Sequence, residues 1–502
     1  MRRGINGEIL LLYLFALGLR VFVVFTAAGI ADDGCGYLFL AREIAGGNFH
    51  AIFTSVWPPL FPVFSAGASF IFRDLELAGR MVSCIFGSLT VFPLFFLVKS
   101  IFDKKTALMT VLFFAVHPYL CQASGEALSE ALYFFFVTSV AAVSWFAIRK
   151  KKAGLFLPVG LLLLLTGLTR FEGFALIFLV LAWIFAAGLP NLGGNIRWKL
   201  ASTFFCLIAF AAVLLPYMVS VRRDTGKWQI TSRQGHHVKV SLNAPGETRT
   251  ERAKYLLRYK IYPNIRLIPA SLAKAYHPVF VPLLFFGLIG RKRLRGFRLG
   301  EIYILSFAVF RLTVLTVFAG ITERYLYAFV PVTLCWAGAG FWEIDSRFQG
   351  RAGDKKLSWG LGGMSRVSMA LLLVITVICL PRALKTIRGH RAVQREVGCW
   401  LKENAGQREF VVASLSPQIA FHAGAKQCRL EGQTYAELVS NAREDGADFI
   451  VADKNLDTIC PDFRNSVSPD DLEIFTAGFA MSGRSILVYK LKKQAADDPA
   501  GK

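Results

Sequence analysis

The sequence lacks the cysteine and histidine arrangements that announce a bound metal. Its nine cysteines include no CxxC pair and no Cys/His ligand spacing, which sets a cysteine-ligated metal or redox centre aside. The doublet His236-His237 lacks the HxxH or HxxxH spacing of a helical metal pair. No internal repeat is present, whereas many transporters carry paired repeats. Acid is in short supply: 34 Asp and Glu stand against 57 Lys and Arg, a formal charge of +23. That balance invites a nucleic-acid partner, but the basic residues cluster in short loops between apolar runs. Arg149-Lys150-Lys151-Lys152 and Arg291-Lys292-Arg293 are such loops. Positive-inside topology accounts for them and excludes nucleic acid.

What the chain has in abundance is apolar surface. Of 502 residues 54% are hydrophobic, 14% aromatic and 45 are Phe. Apolar runs fall at about 9–30, 78–98, 106–120, 128–148, 155–169, 173–189, 199–221, 277–290, 301–319, 325–342 and 367–381. Several are short, requiring a tilted or thin setting. They predict a polytopic α-helical membrane protein of about eleven transmembrane helices within residues 1–382. With the N-terminus inside, the loops 99–105, 149–154, 190–198, 291–300 and 343–366 are cytoplasmic, and all carry Lys or Arg. Two outside loops are long, 31–77 and the basic 222–276, and long translocated loops are exempt from the charge rule. Gly29-Ile30-Ala31 faintly resembles a signal-peptidase site; an uncleaved first span is expected, since it anchors the acidic pair that follows.

Beyond about residue 383 the composition changes. Residues 393–401 and 435–443 read as helices, and 409–414, 447–452 and 485–490 as strands. This predicts a small extracytoplasmic α/β domain over 383–494, followed by a tail at 495–502. Cys84, Cys206, Cys335 and Cys379 read as core filler, while Cys399, Cys428 and Cys460 can pair if this domain faces an oxidising compartment.

The most informative residues are Asp32-Asp33, at the exit of the first span. Carboxylates there are costly unless they face water, a cation or a substrate. After them Tyr37, Leu40, Ala41 and Ile44 share a helix face, with Arg42 on its surface, and Gly46-Gly47 ends the helix. Trp57-Pro58-Pro59-Leu60-Phe61-Pro62 cannot continue a helix and reads as an interfacial element anchored by Trp57. Three further clusters fall on the same outward side. Glu126 and Glu130, four apart, open the fourth span; Arg170 and Glu172 break an apolar run; Glu323-Arg324-Tyr325 opens the tenth. Arg311 lies mid-span and needs a carboxylate, a polar cavity or a lipid phosphate. A general base beside cationic groups suits transfer from a lipid phosphate.

The pattern Asp33-x3-Tyr37-x3-Ala41-Arg42-x4-Gly47 resembles the first-loop motif of GT-C glycosyltransferases of the family 39 type, which include protein O-mannosyltransferases and lipid A aminoarabinose transferases. Pro58-Pro59-Leu60, Ser129-Glu130-Ala131-Leu132, Thr169-Arg170-Phe171-Glu172-Gly173 and Glu323-Arg324-Tyr325-x5-Pro331 are similar too, in order, over about residues 8–345. Many relatives carry Asp-Glu where this chain has Asp33-Gly34, preceded by Asp32. The resemblance implies a GT-C-like fold, a polyprenyl-phosphate-linked sugar donor, an extracytoplasmic lipid, glycan or protein acceptor, and inversion. It implies Asp33 as the base, with Asp32 the alternative, and Glu130 orienting acceptor or sugar. Arg324 would neutralise the leaving phosphate, helped by Arg170 or Arg42, with Arg311 and Tyr325 in the donor site. Asp32, Asp33 and Glu130 are also plausible oxygen ligands for a divalent cation. The expected location is the bacterial inner membrane. Two rival readings stand beside this one. A transporter or lipid flippase accounts for the many spans, and an O-antigen or oligosaccharide ligase with a pyrophosphate-linked donor accounts for the basic loop containing His236-His237.

Overall fold

The computed structural model describes residues 7–186, 195–230, 255–290, 298–349, 364–406, 409–481 and 484–492. His236-His237, the basic run at 291–293 and the tail lie outside them. The chain forms two compact units, one of residues 1–25 and 40–385, the other of residues 26–39 and 386–502.

The first unit is helical. Six helices are long and apolar enough to cross a membrane: Gly7–Thr26, Leu75–Ile101, Glu130–Lys150, Ile196–Thr225, Leu299–Val317 and Arg366–Ala383. A seventh crossing is possible if Leu257–Tyr276 and Pro278–Ile289, bent by 91°, count as one span. The eleven apolar runs therefore do not all become long helices, and proline is one physical reason. Run 106–120 breaks at His117, before Pro118, and run 325–342 breaks into short helices around Pro331. Within the large loop expected over 222–276, Leu257–Tyr276 is helical; its basic residues, interleaved with Leu257, Tyr259 and Ile265, disguise the apolar pattern. Glu130–Lys150 is the most buried of the long helices and packs against its neighbours with Phe134, Val137, Val140 and Ala141.

Two sequence expectations need correction. Trp57-Pro58-Pro59 leads straight into a helix, Leu60–Phe72, with Pro59 as its cap and Pro62 in the first turn, where a missing N–H costs nothing. Trp57 packs on Leu40, Ala41, Ile44 and Ala66. Glu126 and Glu130 do not share a helix face, because that helix begins at Glu130.

The second unit is an α/β domain. Its strands are β1 (Val411–Ala413), β2 (Lys426–Cys428), β3 (Phe449–Ala452), β4 (Leu472–Met481) and β5 (Arg484–Leu491), in the order β2-β1-β3-β5-β4. The β2-β1-β3 part is parallel, and β5 runs antiparallel to β3 and β4. Central β3 is buried on both faces, as a parallel sheet covered by helices requires. Phe449 and Val451 join Val397, Ile419 and Val488 on one side; Ile450 and Ala452 join Leu438, Leu456 and Tyr489 on the other. β2 and β4 escape the sequence reading for local reasons. β2 is three residues long, and irregularities at Ile474/Thr476 and Thr476/Phe479 spoil the two-residue period of β4. All nine cysteines are free, so the pairing expected of Cys399, Cys428 or Cys460 is absent; Cys428 Sγ instead donates to Asp445 at 3.0 Å.

The first unit's tightest helix crossing depends on two glycines. A Cβ on Gly287 would lie 1.8 Å from the Trp336 carbonyl oxygen, and one on Gly340 would lie 1.9 Å from that of Leu283. Small residues at such crossings allow backbones to approach in a membrane. Gly287→Ala or Gly340→Ala is expected to destabilise the protein by about 1–3 kcal/mol. Gly18→Ala, where a Cβ meets nothing within 4 Å, serves as the neutral control. Thermal unfolding in detergent measures both, and equal melting of all three variants would refute the close-approach argument.

Candidate functional site

The first unit gathers five of the residues singled out from sequence into one small pocket. Glu130, Arg170, Arg311, Arg324 and Tyr325 line it, with Tyr133 and Tyr327 completing the wall. Its free space is about 190 Å³, including the opening at its mouth. Each element supplies its residue at an end or break, where a side chain can leave the apolar packing. Glu130 is the first residue of its helix, and Arg170 is extended backbone between Phe156–Thr169 and the short turn Phe171–Ala175. Arg324 sits in the short helix Glu323–Leu326, and Arg311 near the end of Leu299–Val314.

The polar contacts form one connected network. Glu130 Oε1 accepts from Arg324 Nε and, at 3.3 Å, from Arg170 Nη1. Arg170 Nε also donates to Glu172 Oε1 at 2.8 Å, and Arg311 Nη2 donates to the same oxygen at 3.2 Å. Arg311 further donates to the Tyr133 hydroxyl and the Tyr325 carbonyl oxygen, each at 3.3 Å. The carboxylate that a mid-span arginine requires is thus Glu172. Aromatic faces support the cations: the Arg170 guanidinium lies 5.1 Å from the Tyr325 ring centroid, and that of Arg311 lies 5.3 Å from Tyr133. Three arginines meet two glutamates in this network, and Glu323 and Glu126 lie near enough to act on Tyr327 in the pocket wall. Exposure is graded as well. Glu130 and Arg311 are about 5–6% exposed, whereas Arg324 is 32% exposed. Glu130 Oε2 and Arg311 Nε are buried without a hydrogen-bond partner among the described residues, so the network has one acceptor and one donor to spare.

Tyr133 and Glu172 were not among the site residues expected from sequence. Tyr133 follows Glu130 by three residues, which puts both on one helix face, and that spacing was the available signal. Glu172 reads from sequence as part of a charged turn; only the fold shows it clamping two arginines.

Asp32 and Asp33 belong to the second unit, at the start of helix Asp32–Ala45. Both Asp32 oxygens are occupied. Oδ1 accepts from Arg391 Nη1 and Gln418 Nε2, both at 2.7 Å, and Oδ2 from Arg391 Nη2 at 3.0 Å. Partial burial works to raise the Asp32 carboxyl, but the bonds from Arg391 and Gln418 and the charges of Arg391 and Arg388 outweigh it and hold it below its ordinary value. The pair is therefore intact at neutral pH and is lost as pH falls through that lowered value. Asp33 is half-buried, and Arg42 occupies the last turn of the same helix, also half-buried and not in the pocket lining.

Among the described residues, no group of three or more His, Cys, Asp or Glu is placed to hold a metal ion. The carboxylates expected to ligate a divalent cation are otherwise engaged: Asp32 by an arginine fork, Glu130 by two guanidiniums whose charge opposes a cation. Asp32 and Glu130, so paired, do not suit a cation.

Residues 56–216 match the family described as dolichyl-phosphate-mannose-protein mannosyltransferase. No curated protein matches the chain. Among solved structures, ArnT from Cupriavidus metallidurans bound to undecaprenyl phosphate is similar with a TM-score of 0.67 and 12% identity, over 97% of this chain and 100% of that one. The Archaeoglobus fulgidus oligosaccharyltransferase in complex with Zn and sulfate gives 0.62 and 14%, over 95% and 73%. AglB from the same organism, with an inhibitory peptide and a dolichol-phosphate, gives 0.60 and 14%, over 99% and 75%. At such identities the likeness to these structures is one of fold. Residues 56–216 thus match the mannosyltransferase family, and the chain as a whole shares its fold with ArnT and the archaeal oligosaccharyltransferase.

Proposed function

We propose that the protein transfers a sugar from a polyprenyl-phosphate carrier to an extracytoplasmic lipid, glycan or protein, with inversion at the anomeric carbon. The observation that carries this reading is the arginine pocket, which has three guanidiniums, tyrosine walls and its most exposed cation at Arg324. Such a pocket suits a phosphate group better than a neutral solute. Undecaprenyl phosphate and dolichol-phosphate in structures of the same fold support a polyprenyl phosphate as the occupant. The family match over residues 56–216 favours the enzyme over a flippase, and the ligase reading leaned on His236-His237, outside the described residues.

On this reading Asp33 takes the proton from an acceptor hydroxyl. The freed oxygen forms a bond to the anomeric carbon while the bond from that carbon to the phosphate oxygen breaks on the opposite face, and polyprenyl phosphate leaves with the electron pair. Arg324, Arg170 and Arg311 neutralise the charge that grows on the phosphate. Glu130 orients Arg324 and Arg170 through Oε1 and offers Oε2 to a sugar hydroxyl. Asp32, committed to Arg391 and Gln418, leaves the base role to Asp33. The bilayer orientation that goes with these roles has the N-terminus cytoplasmic and the C-terminal domain outside a bacterial inner membrane.

Two measurements test this. With radiolabelled polyprenyl-phosphate sugars and cell-envelope extract as acceptor, purified Asp33→Asn is expected to lose about 10²–10⁴-fold in transfer rate at unchanged stability; near-wild-type transfer would remove Asp33 as base. Arg324→Gln is expected to raise the donor KM by about 10- to 100-fold, with Arg324→Lys intermediate because it keeps the charge without the planar fork. A donor KM insensitive to Arg324 would move the phosphate elsewhere.

A further inference from the structure

We propose that the C-terminal domain positions the catalytic base, with Arg391 as the positioning residue acting through Asp32. The inference rests on the reading of Asp33 as base.

The geometry is a clamp around one turn of chain. Arg391 Nη1 donates to the Ile30 carbonyl oxygen at 3.1 Å as well as to Asp32, and Gln418 Nε2 bonds the same two acceptors, Ile30 at 3.1 Å and Asp32 at 2.7 Å. Two side chains from separate elements of the domain thus grip the same carbonyl and the same carboxylate. Upstream, the Ala28 amide donates to the Ile387 carbonyl oxygen at 3.0 Å. At Gly29 the backbones lie so close that a Cβ there would come within 2.7 Å of the Arg391 Cβ. Downstream, the Phe39 ring meets Phe421 edge-on, with centroids 5.7 Å apart. Segment 26–39 is fixed at both ends and in the middle, and it is compact with the domain rather than with the first span that precedes it.

Asp33 follows the clamped residue directly, in the first turn of the same helix. Helical geometry fixes the direction of each side chain relative to the one before, so holding Asp32 at both oxygens and Ile30 at its carbonyl sets where the Asp33 carboxylate points. A fork of two parallel bonds supplies angular precision that a single bond does not, and Gln418, 1% exposed, keeps the fork from rotating. A misplacement of about 1 Å in a reacting group is enough to cost roughly 10²-fold in rate. The clamp also sets the charge beside Asp33. Arg391 balances the Asp32 carboxylate; the other charged or titratable groups on the clamping elements are Arg388, His390 and His422, of which Arg388 acts on Asp32.

A purely structural clamp and a positioning clamp differ in their kinetics. Full-length wild type, Asp33→Asn, Arg391→Gln, Arg391→Lys, Asp32→Asn and the double variant Asp32→Asn/Arg391→Gln are compared for melting temperature, donor KM, kcat and the acid limb of the pH profile, using the same donors and extract. Arg391→Gln is expected to lower kcat at least about tenfold with donor KM unchanged. It should also move the acid limb up, because an unbalanced Asp32 carboxylate disfavours ionisation of Asp33. Asp32→Asn should move the limb down, since Arg391 is then unbalanced, and the double variant should bring it back. Arg391→Lys, the variant safest for folding, should give an intermediate kcat. Limbs that stay put or move together, losses explained by melting temperature alone, or Arg391→Lys at the wild-type kcat would each overturn the clamp while leaving the function standing. Failure of wild type to use any polyprenyl-phosphate sugar, or an Asp33→Asn variant as fast as wild type, would overturn the function or the base and the clamp with it.

Discussion

The carboxylate of Glu130, shared between Arg324 and Arg170, is the interaction around which the helical unit is arranged. A charge carried into apolar packing is costly alone and acceptable when paired and hydrogen-bonded. That requirement draws together four stretches far apart in the chain: the start of one span, a break at 170–172, the end of a second span and the turn at 323–326. None of these places is mid-helix in a regular run. The site lies where helices end because only there can several charged groups converge without each being buried separately.

Asp32 and Asp33 show the same economy in the other unit. Two adjacent carboxylates at a helix start are each favoured by the helix dipole, yet the structure treats them differently. One is saturated by an arginine fork and a glutamine amide, the arrangement of a fastening. On the proposed reading, its neighbour does the chemistry in a direction the fastening determines. Adjacent identical side chains point to different sides of a helix, so a single pair can supply both anchor and reagent.

Much of the site was legible in the sequence, for a physical reason. Charges are rare in apolar runs, so Glu130, Arg170, Arg311 and Arg324 stood out individually, and topology put the charged clusters on one side. Their connections were not legible. That Glu172 bridges Arg170 and Arg311, or that Tyr133 lies under Arg311, depends on helix packing that no local pattern encodes. Arg391 and Gln418 were invisible because each looks like ordinary surface polarity in a small domain, and their partner lies some 360 residues away or more. Helix boundaries were less legible for a related reason. Hydropathy sees apolar runs but not the breaks at His117 and around Pro331 that divide them. In the domain, buried β3 was clear while short β2 and irregular β4 were not, since neither keeps a readable period.

The pairing of the three arginines bears on why Glu130 and Glu172 are there at all. Three uncompensated arginines would bind any phosphate tightly, including the product. On the proposed reaction the donor phosphodiester carries one negative charge, and the leaving polyprenyl phosphate gains a second as its bond to the sugar breaks. The charge that develops in transfer is met by guanidiniums already oriented by the glutamates, without reorganisation. Catalysis requires interactions that strengthen toward the transition state, not ones already spent on the ground state. Glutamates that hold the arginines in place while cancelling most of their charge satisfy both demands, since they preserve geometry and limit how tightly the dianionic product is retained. On the proposed reading, the buried charges set how strongly a phosphate is held; for the fold, pairing at best offsets the cost of removing them from water.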